Sequence, residues 1–181
     1  DLSFASLAYA IRKTKELGIE NIRYLQADIL DLSSLGEEFD LIECGGVLHH
    51  MEDPLKGWQI LTTLLREGGL MKIGLYSATA REHIEKTRKD IVCLEGKIEN
   101  IDRTAMKAFR DKLIQSDVGH HQKSVASNDF YSFSSYRDLL FNVQEHRFTI
   151  SQIRNCLYML NLKFCGFEFS ASHGAISQKE I

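Results

Sequence analysis

The first part of the chain alternates between segments of helical periodicity and short apolar runs, and this order constrains the fold most. A helical segment over residues 4–17 precedes apolar runs at 21–27 and 39–44. A second helical segment, beginning at Asp53, precedes another run at 70–76. Parallel strands need long connections, which helices commonly supply. The alternation therefore predicts an α/β fold in which crossover helices cover a parallel sheet.

Several element ends are also marked in the sequence. Gly18 is expected to stop the first helix, and Asp53 followed by Pro54 is a typical helix start, because the carboxylate can bind free backbone amides. We expect the second helix to end at residues 67–69. Residues 31–38 are polar and are expected to form a loop or one helical turn.

The second half of the chain differs from the first. Apolar side chains recur there at helical spacing among charges of both signs, which indicates solvated helices. The polar stretch 116–129, with His120 and His121, is expected to be a mobile loop, and residues 162–169 a late strand. The chain is thus predicted to have a core that is interrupted by a helical cap or insertion. The predicted ranges are residues 1–77 and 162–181 for the core and 78–161 for the cap.

Composition narrows the class of protein. The 181 residues carry a net charge of -3, which offers no electrostatic footprint for nucleic acid. The four cysteines stand apart with no C-x-x-C pair, which favours free thiols in a reducing, cytoplasmic compartment. No apolar run approaches the roughly 18 residues of a membrane span, and no signal peptide is visible.

Acidic and polar residues follow the predicted strands. Asp28 comes after the run at 21–27, residues 43–50 follow the run at 39–44, and Asp1 would follow any strand that precedes it. Ligands of open parallel sheets bind beyond the carboxyl ends of the strands. A carboxylate there can accept hydrogen bonds from ribose hydroxyls or from an adenine amino group. The alternative for Asp28 is that it only caps the next turn.

Two long stretches resemble a known family. DLSFASLAYAIRKTKELGIENIRYLQADILDL and FDLIECGGVLHHMEDPLKGWQILTTLLREGGLMKIGLYS are similar to class I S-adenosylmethionine-dependent methyltransferases. The likeness is greatest to bacterial methyltransferase domains that are often attached to tetratricopeptide repeats. The later RDLLFNVQEHRFTISQI and LNLKFCGFEF resemble the distal part of the same family. The resemblance implies a Rossmann-like sheet, S-adenosylmethionine as cofactor and an unidentified methyl acceptor.

The resemblance also implies roles for single residues. The position of Asp1 corresponds to the acid that holds the ribose hydroxyls, and that of Asp28 to the acid that accepts from the adenine amino group. The remaining implied cofactor contacts are Leu2, Ala27, Ile29, Cys44 and Gly45. His49 and His50 lie where the family's acceptor pocket opens.

Two parts of the family pattern are missing. The chain has no glycine-rich G-x-G-x-G turn, and no convincing strand follows residue 169. We therefore expect the chain to be truncated at both ends and its sheet to be incomplete. The expected consequences are instability or aggregation and weak binding of S-adenosylmethionine, since the missing strands would lie at the centre of the sheet.

Three functions remain open at this point. The first is methyl transfer, with His50 or His49 as a general base for a hydroxyl or ammonium acceptor. The structural alternative is that His49 packs in its loop while His50 caps the following helix. The other two functions are a non-catalytic methyltransferase-like binding module and a nicotinamide-dependent Rossmann oxidoreductase.

Metal binding and aromatic stacking are weaker hypotheses. No metal site is expected, because the adjacent histidines of each pair should point in different directions and no thiolate or carboxylate spacing supports one. Aromatic residues could stack on a flat acceptor, but core or lid packing is the expected role. These residues are Trp58, Phe130, Tyr131, Phe133 and Tyr136.

Overall fold

A computed structural model describes residues 1–96, 98 and 101–168. The chain divides into two compact units, residues 1–149 and residues 150–181. The elements of the first unit are α1 (Phe4–Glu16), β1 (Phe39–Cys44), α2 (Pro54–Thr63), β2 (Leu65–Ile73), β3 (Tyr76–Ser77), α3 (Glu82–Glu95), α4 (Arg103–Ile114), α5 (Gly119–Val125), α6 (Phe133–Phe141) and β4 (Arg147–Phe148). The second unit contains α7 (Ile150–Met159). Short 3-10 helices cover Ile29–Leu35, Leu48–His50 and Asn128–Phe130.

Capping side chains begin the helices of the first part of the chain. The Ser3 hydroxyl accepts from the Ser6 amide at the start of α1, and the Asp53 carboxylate accepts from the Leu55 and Lys56 amides at the start of α2. Gly18 follows α1 with a φ of 67°, a left-handed conformation that a glycine tolerates. The predicted first helix and the predicted start of the second are confirmed.

The strands pair in parallel, as the alternation predicts. β1 pairs with β2, with Leu41 opposite Leu70 and Cys44 opposite Ile73, and β3 pairs with β4. The register of β1 and β2 shifts near the start of the strands, where Phe39 lies opposite Leu65. The α/β class with parallel strands is therefore confirmed.

The predicted end of the second helix is wrong. α2 ends at Thr63, and the next strand begins at Leu65 rather than at residue 70. The Leu64 carbonyl accepts from the Phe39 amide at 2.8 Å. The first residue of β1 is therefore hydrogen-bonded to the residue that directly follows α2. The glycines at 68 and 69 lie within the irregular part of β2 and do not cap the helix.

Two predicted strands are wrong for the described residues. Residues 21–27 contain no strand, and within the described part of the chain two backbone bonds join them to another segment, from Leu25 and Ala27 to Asp1. A strand requires a repeating ladder with a neighbour, and two bonds do not provide one. Residues 162–168 also have no strand assignment, and residues 169–181 lie outside the described part of the chain.

The predicted loop over 116–129 is largely helical. α5 lies within it, followed by the 3-10 helix Asn128–Phe130. The segment is held by polar contacts: the buried Thr87 and Ser124 hydroxyls lie 3.0 Å apart, and Ser124 Oγ donates to the His120 carbonyl at 2.9 Å. Hydrophobic periodicity does not detect a helix that packs through hydroxyl groups.

The main hydrophobic core lies among the helices that follow the paired strands. Its buried side chains come mainly from α3, α4 and α6, and Phe130 and Tyr136 are fully buried within it. By contrast, apolar side chains on the strands are exposed to solvent: Leu41 is 64% exposed and Leu70 59%. Within the described residues, no helix is both long and apolar enough to cross a membrane.

Candidate functional site

Asp1 and the segment before Asp28 lie side by side. The Asp1 amino group donates to the Leu25 carbonyl at 3.2 Å, and the Ala27 amide donates to the Asp1 carbonyl at 3.3 Å. These two bonds hold the chain at Asp1 against the residues that lead into Asp28. Two acidic residues that are 27 positions apart in sequence are thereby brought to neighbouring stretches of backbone.

Both carboxylates have a local hydrogen bond. Asp1 Oδ1 accepts from the Ser3 amide at 2.7 Å, and Asp28 Oδ1 accepts from the Leu30 amide at 2.9 Å. Asp28 therefore makes the capping contact of its alternative interpretation, at the start of the helix Ile29–Leu35, and its ligand role stays a prediction. A carboxylate has about four lone-pair positions, so one local bond leaves each side chain able to accept from a ligand.

The surroundings of the pair suit a nucleoside. Leu2 is 64% exposed beside Asp1, while Ala27 and Ile29 are half-buried on either side of Asp28. Acidic acceptors with small and apolar neighbours can bind sugar hydroxyls and an amino group while covering a flat base. The residues present therefore fit an adenosine-containing cofactor.

Two glycines follow the buried end of β1. Cys44 is 7% exposed, burial raises the pKa of its thiol, and its carbonyl accepts from the Gly74 amide at 2.9 Å. A Cβ on Gly45 or Gly46 would meet nothing within 4 Å, so this turn presents open backbone. A Cβ on Gly74 would instead lie 3.1 Å from the Gly45 Cα, so the two segments approach each other closely.

His49 is a packed, neutral side chain. It is 1% exposed, and its Nδ1 donates to the Gly74 carbonyl at 3.3 Å. Burial and the neighbouring His50 lower its pKa. Its ring stacks on Tyr76 with centroids 3.8 Å apart, and its Nε2 is buried without a hydrogen-bond partner in the described structure.

His50 is held differently. Its Nδ1 lies 2.9 Å from the Gln144 carbonyl and 3.1 Å from Asn142 Nδ2. The Asn142 amide orientation is fixed, because its Oδ1 accepts from the Gln144 amide and its Nδ2 donates to Asp138. The Gln144 carbonyl can only accept and is the nearer partner, so we assign the proton of the neutral ring to Nδ1, which donates to that carbonyl. Asn142 Nδ2 is then a neighbour of the ring and not its hydrogen-bond donor. The lone pair is then on Nε2.

That Nε2 lies near an open cavity. It is 3.9 Å from Asp138 Oδ1, and Asp138 lines a cavity of about 440 Å³ together with Tyr76, Asp129, Ser134, Ser135 and Leu139. The Arg81 guanidinium lies over the Tyr76 ring, 3.8 Å from its centroid. The predicted capping role of His50 is wrong, because the Asp53 side chain caps α2.

Sequence reasoning missed three residues of this region: Tyr76, Asp138 and Asn142. The available signal was weak. Asp138 and Asn142 are four residues apart on a helical pattern, a spacing at which side chains meet. Asn142 is 92 positions from His50, however, and no local pattern indicates that contact.

The aromatic residues singled out in the sequence are mostly packed. Trp58 is 3% exposed, and Phe130 and Tyr136 are fully buried, so their expected core role is confirmed. Tyr131 is 64% exposed. The expectation that His120 and His121 point in different directions is wrong, because both Nε2 atoms face one oxygen of Asp90.

Comparison with known proteins identifies the fold. PKMT2 from Rickettsia typhi, solved in complex with AdoHcy, superposes with a TM-score of 0.65 at 17% identity, covering 87% of this chain and 32% of that one. A second structure of PKMT2 gives a TM-score of 0.60 at 20% identity, with the same coverage. These likenesses confirm a Rossmann-like methyltransferase fold.

Sequence comparison gives the family. An uncharacterised protein of Synechococcus sp. is 28% identical over 173 residues, which is 92% of this chain and 41% of that protein. The chain thus spans less than half of the length of these relatives. A family model described as a methyltransferase domain matches residues 1–132. By that match, over most of its length, the chain belongs to the methyltransferase domain family.

Proposed function

We propose that the protein transfers a methyl group from S-adenosylmethionine to a small or macromolecular acceptor. The observation that carries this proposal is the family match over residues 1–132. The AdoHcy bound to PKMT2 supports it, since AdoHcy is what S-adenosylmethionine becomes when it loses its methyl group. The paired backbone at Asp1 and Asp28 adds a chemical reason, because two carboxylates there match the ribose and adenine of that cofactor.

Seven residues would hold the cofactor. Asp1 would accept from the ribose hydroxyls and Asp28 from the adenine amino group. Leu2, Ala27 and Ile29 would cover the base. Cys44 and Gly45 would lie alongside the methionine part of the cofactor. When bound, the sulfonium supplies an activated methyl group, so the protein's task is alignment and exclusion of water.

We propose His50, rather than His49, as the general base. Its Nε2 has a lone pair and lies 3.9 Å from Asp138, a residue that lines a polar cavity. His49 is buried, and its Nδ1 proton is engaged by the Gly74 carbonyl. An acceptor hydroxyl or ammonium in the cavity would lose its proton to His50 Nε2.

We further propose that residues 78–161 act as the cap that selects the acceptor, over a core of residues 1–77 and 162–181. This proposal does not specify the methyl acceptor. It includes a tetratricopeptide-repeat region in the same gene product. The net charge of -3 argues against a nucleic-acid partner. The four free cysteines favour a cytoplasmic location.

Calorimetric titration of the full-length gene product with S-adenosylmethionine and with NAD tests the proposal. We expect saturable binding of S-adenosylmethionine and none of NAD. Binding of NAD alone would overturn the proposal in favour of an oxidoreductase. Binding of S-adenosylmethionine without methyl transfer to any acceptor fraction would indicate the non-catalytic module.

The variant His50→Gln tests the base. We expect turnover to fall at least tenfold while the dissociation constant of S-adenosylmethionine is unchanged, because the imidazole would act on the acceptor only. His83→Gln, a half-buried histidine on α3, is the matched control. A weakened cofactor affinity with unchanged turnover would instead make His50 a binding residue.

A further inference from the structure

A second group of polar side chains lies where α3 packs against α5. Asp90 projects from α3, and His120 and His121 are neighbours on α5. Asp90 Oδ2 lies 2.6 Å from His120 Nε2 and 2.9 Å from His121 Nε2. One ligand atom of each residue lies within 4.8 Å of the others. Two imidazole nitrogens therefore converge on one carboxylate oxygen.

The second nitrogen of His121 has its own partner. His121 Nδ1 lies 2.7 Å from Ser116 Oγ, which also accepts from the Val118 amide at 3.2 Å. When His121 Nδ1 donates to that hydroxyl, the neutral ring has its lone pair on Nε2, facing the carboxylate. In that tautomer a cation, either a proton or a metal ion, must lie between the Nε2 lone pair and the carboxylate. A metal ion would occupy that place, and the far ring nitrogen of a metal-bound histidine commonly donates to an oxygen acceptor, as His121 Nδ1 would to Ser116 Oγ.

The helices that carry these residues are firmly joined. The fully buried hydroxyls of Thr87 and Ser124 lie 3.0 Å apart, three residues before Asp90 and three after His121. Ser124 Oγ donates to the His120 carbonyl at 2.9 Å, and Thr87 Oγ1 lies 3.4 Å from the same oxygen while it donates to the His83 carbonyl at 3.0 Å. The backbone that positions the imidazoles is therefore fixed before any ion binds.

The group remains accessible to solvent. The side chain of Asp90 is 42% exposed, that of His120 25% and that of His121 14%. A cation that arrives from solvent can therefore reach the three ligand atoms.

We propose that Asp90, His120 and His121 form a binding site for a divalent first-row transition metal, with Zn²⁺ as the representative ion. Two imidazole nitrogens and one carboxylate oxygen are a donor set that suits Zn²⁺ and does not suit Mg²⁺ or Ca²⁺, which prefer oxygen alone. Three protein ligands leave a coordination position for water. The bound ion would join α3 to α5, and none of its ligands belongs to the proposed cofactor or base residues.

The test is titration of the metal-stripped protein with Zn²⁺, and with Mg²⁺ for comparison, followed by calorimetry. We expect one Zn²⁺ per chain, no binding of Mg²⁺ and a rise in melting temperature with Zn²⁺. Asp90→Asn, His120→Gln and His121→Gln should each weaken Zn²⁺ affinity at least tenfold. His83→Gln, also on α3, is the matched control and should bind as the unmodified protein does.

A cobalt spectrum separates this site from others. Co²⁺ should give the visible absorption of a nitrogen- and oxygen-coordinated ion, which His120→Gln and His121→Gln together abolish. Circular dichroism establishes that the variants keep their helices. The proposal would be overturned if all three ligand variants bound Zn²⁺ as tightly as the unmodified protein does. A thiolate-to-cobalt charge-transfer band would also overturn it, since either result places the ion elsewhere.

Discussion

Single residues of this protein combine a structural contact with capacity for a ligand. Asp28 caps the helix Ile29–Leu35 with one carboxylate oxygen, and the residue before it, Ala27, bonds to the backbone of Asp1. His49 and His50 are adjacent in sequence, yet one ring is buried against Tyr76 and the other is bonded to the Gln144 carbonyl. The role of each side chain therefore depends on its partners and its burial, not on its residue type.

Replacing Asp28 separates its two roles. Asp28→Ala removes both the cap and the ligand acceptor, whereas Asp28→Ser keeps a short capping oxygen. We expect both variants to weaken S-adenosylmethionine binding by about 1–3 kcal/mol, because a buried donor of the cofactor loses its acceptor. Calorimetry of the full-length gene product measures this, with the exposed Asp31→Ala as control. Unchanged affinity in the Ser variant would limit Asp28 to capping.

His49 gives a prediction about pH. Burial lowers the pKa of His49 in the folded state below its ordinary value of about 6.5, so the unfolded chain binds the proton more readily. Stability from this group is therefore present above about pH 6.5 and is lost as pH falls below it, at up to about 1.4 kcal/mol per pH unit. Urea unfolding at pH 7.5 and 5.5 should show a smaller loss for His49→Gln than for the unmodified protein. Equal losses would contradict this.

At the scale of elements, a cluster of buried ion pairs links α3 to the segment that precedes β4. The Glu145 side chain is 3% exposed and accepts from Arg81 at 2.7 Å, while Arg88 lies 3.4 Å from the same oxygen. Burial lowers the pKa of Arg88, which the charge of Glu145 partly offsets. β3 and β4 pair beside this cluster. The cluster thus joins Arg81 and Arg88 to the segment that leads into β4.

Removing the central charge should destabilise this region strongly. Glu145→Gln leaves two largely buried guanidinium groups without their counter-ion, and we expect a loss of about 3–5 kcal/mol in the free energy of unfolding. The matched control is Glu43→Gln, which breaks an exposed pair with Lys72 and should cost at most about 1 kcal/mol. Chemical denaturation measures both. A similar small loss in the two variants would show that Glu145 is not essential to the cluster.

The elements also show what the sequence could predict. α1 and the start of α2 were predictable, because Gly18, Asp53 and Pro54 act on their own neighbours in the chain. α5 was not, because it is held by hydroxyl contacts to α3 rather than by an apolar stripe. The run at 21–27 has the composition of a strand but lacks a full ladder, which no local pattern can reveal.

The candidate site was predictable to a similar degree. The resemblance pointed to Asp1 and Asp28, and the structure places them on neighbouring segments. The partners of His50 come from the turn after α6, at Asn142 and Gln144, which are 92 and 94 positions away and were invisible from the sequence. Contacts across long separations depend on the packing of whole elements, which periodicity does not encode.

At the scale of the whole molecule, stability is unevenly distributed over the first unit. The buried apolar cluster belongs to the helices from α3 to α6, while Ile22, Leu41 and Leu70 are all more than 40% exposed. Buried contacts limit local opening, so segments with few of them open at a lower free energy. The residues proposed to bind the cofactor lie mostly in the less buried part.

Hydrogen exchange tests this distribution. We expect amides of α4 and α6 to exchange slowest and those of residues 21–27 to exchange fast, because the latter have little buried contact. Addition of S-adenosylmethionine to the full-length gene product should slow exchange near Asp1 and Asp28 and leave α4 unchanged. Uniform protection along the chain would contradict the uneven core.

The stacking around Tyr76 restricts what the cavity can recognise. Its ring packs on His49 at 3.8 Å and lies under the Arg81 guanidinium at 3.8 Å, so its faces are occupied by the protein itself. Burial raises the pKa of its hydroxyl, which therefore stays protonated at neutral pH. A molecule in the cavity meets the rim and hydroxyl of this ring, not its π surface. Selection there would rest on hydrogen bonding and would give no preference to flat aromatic compounds.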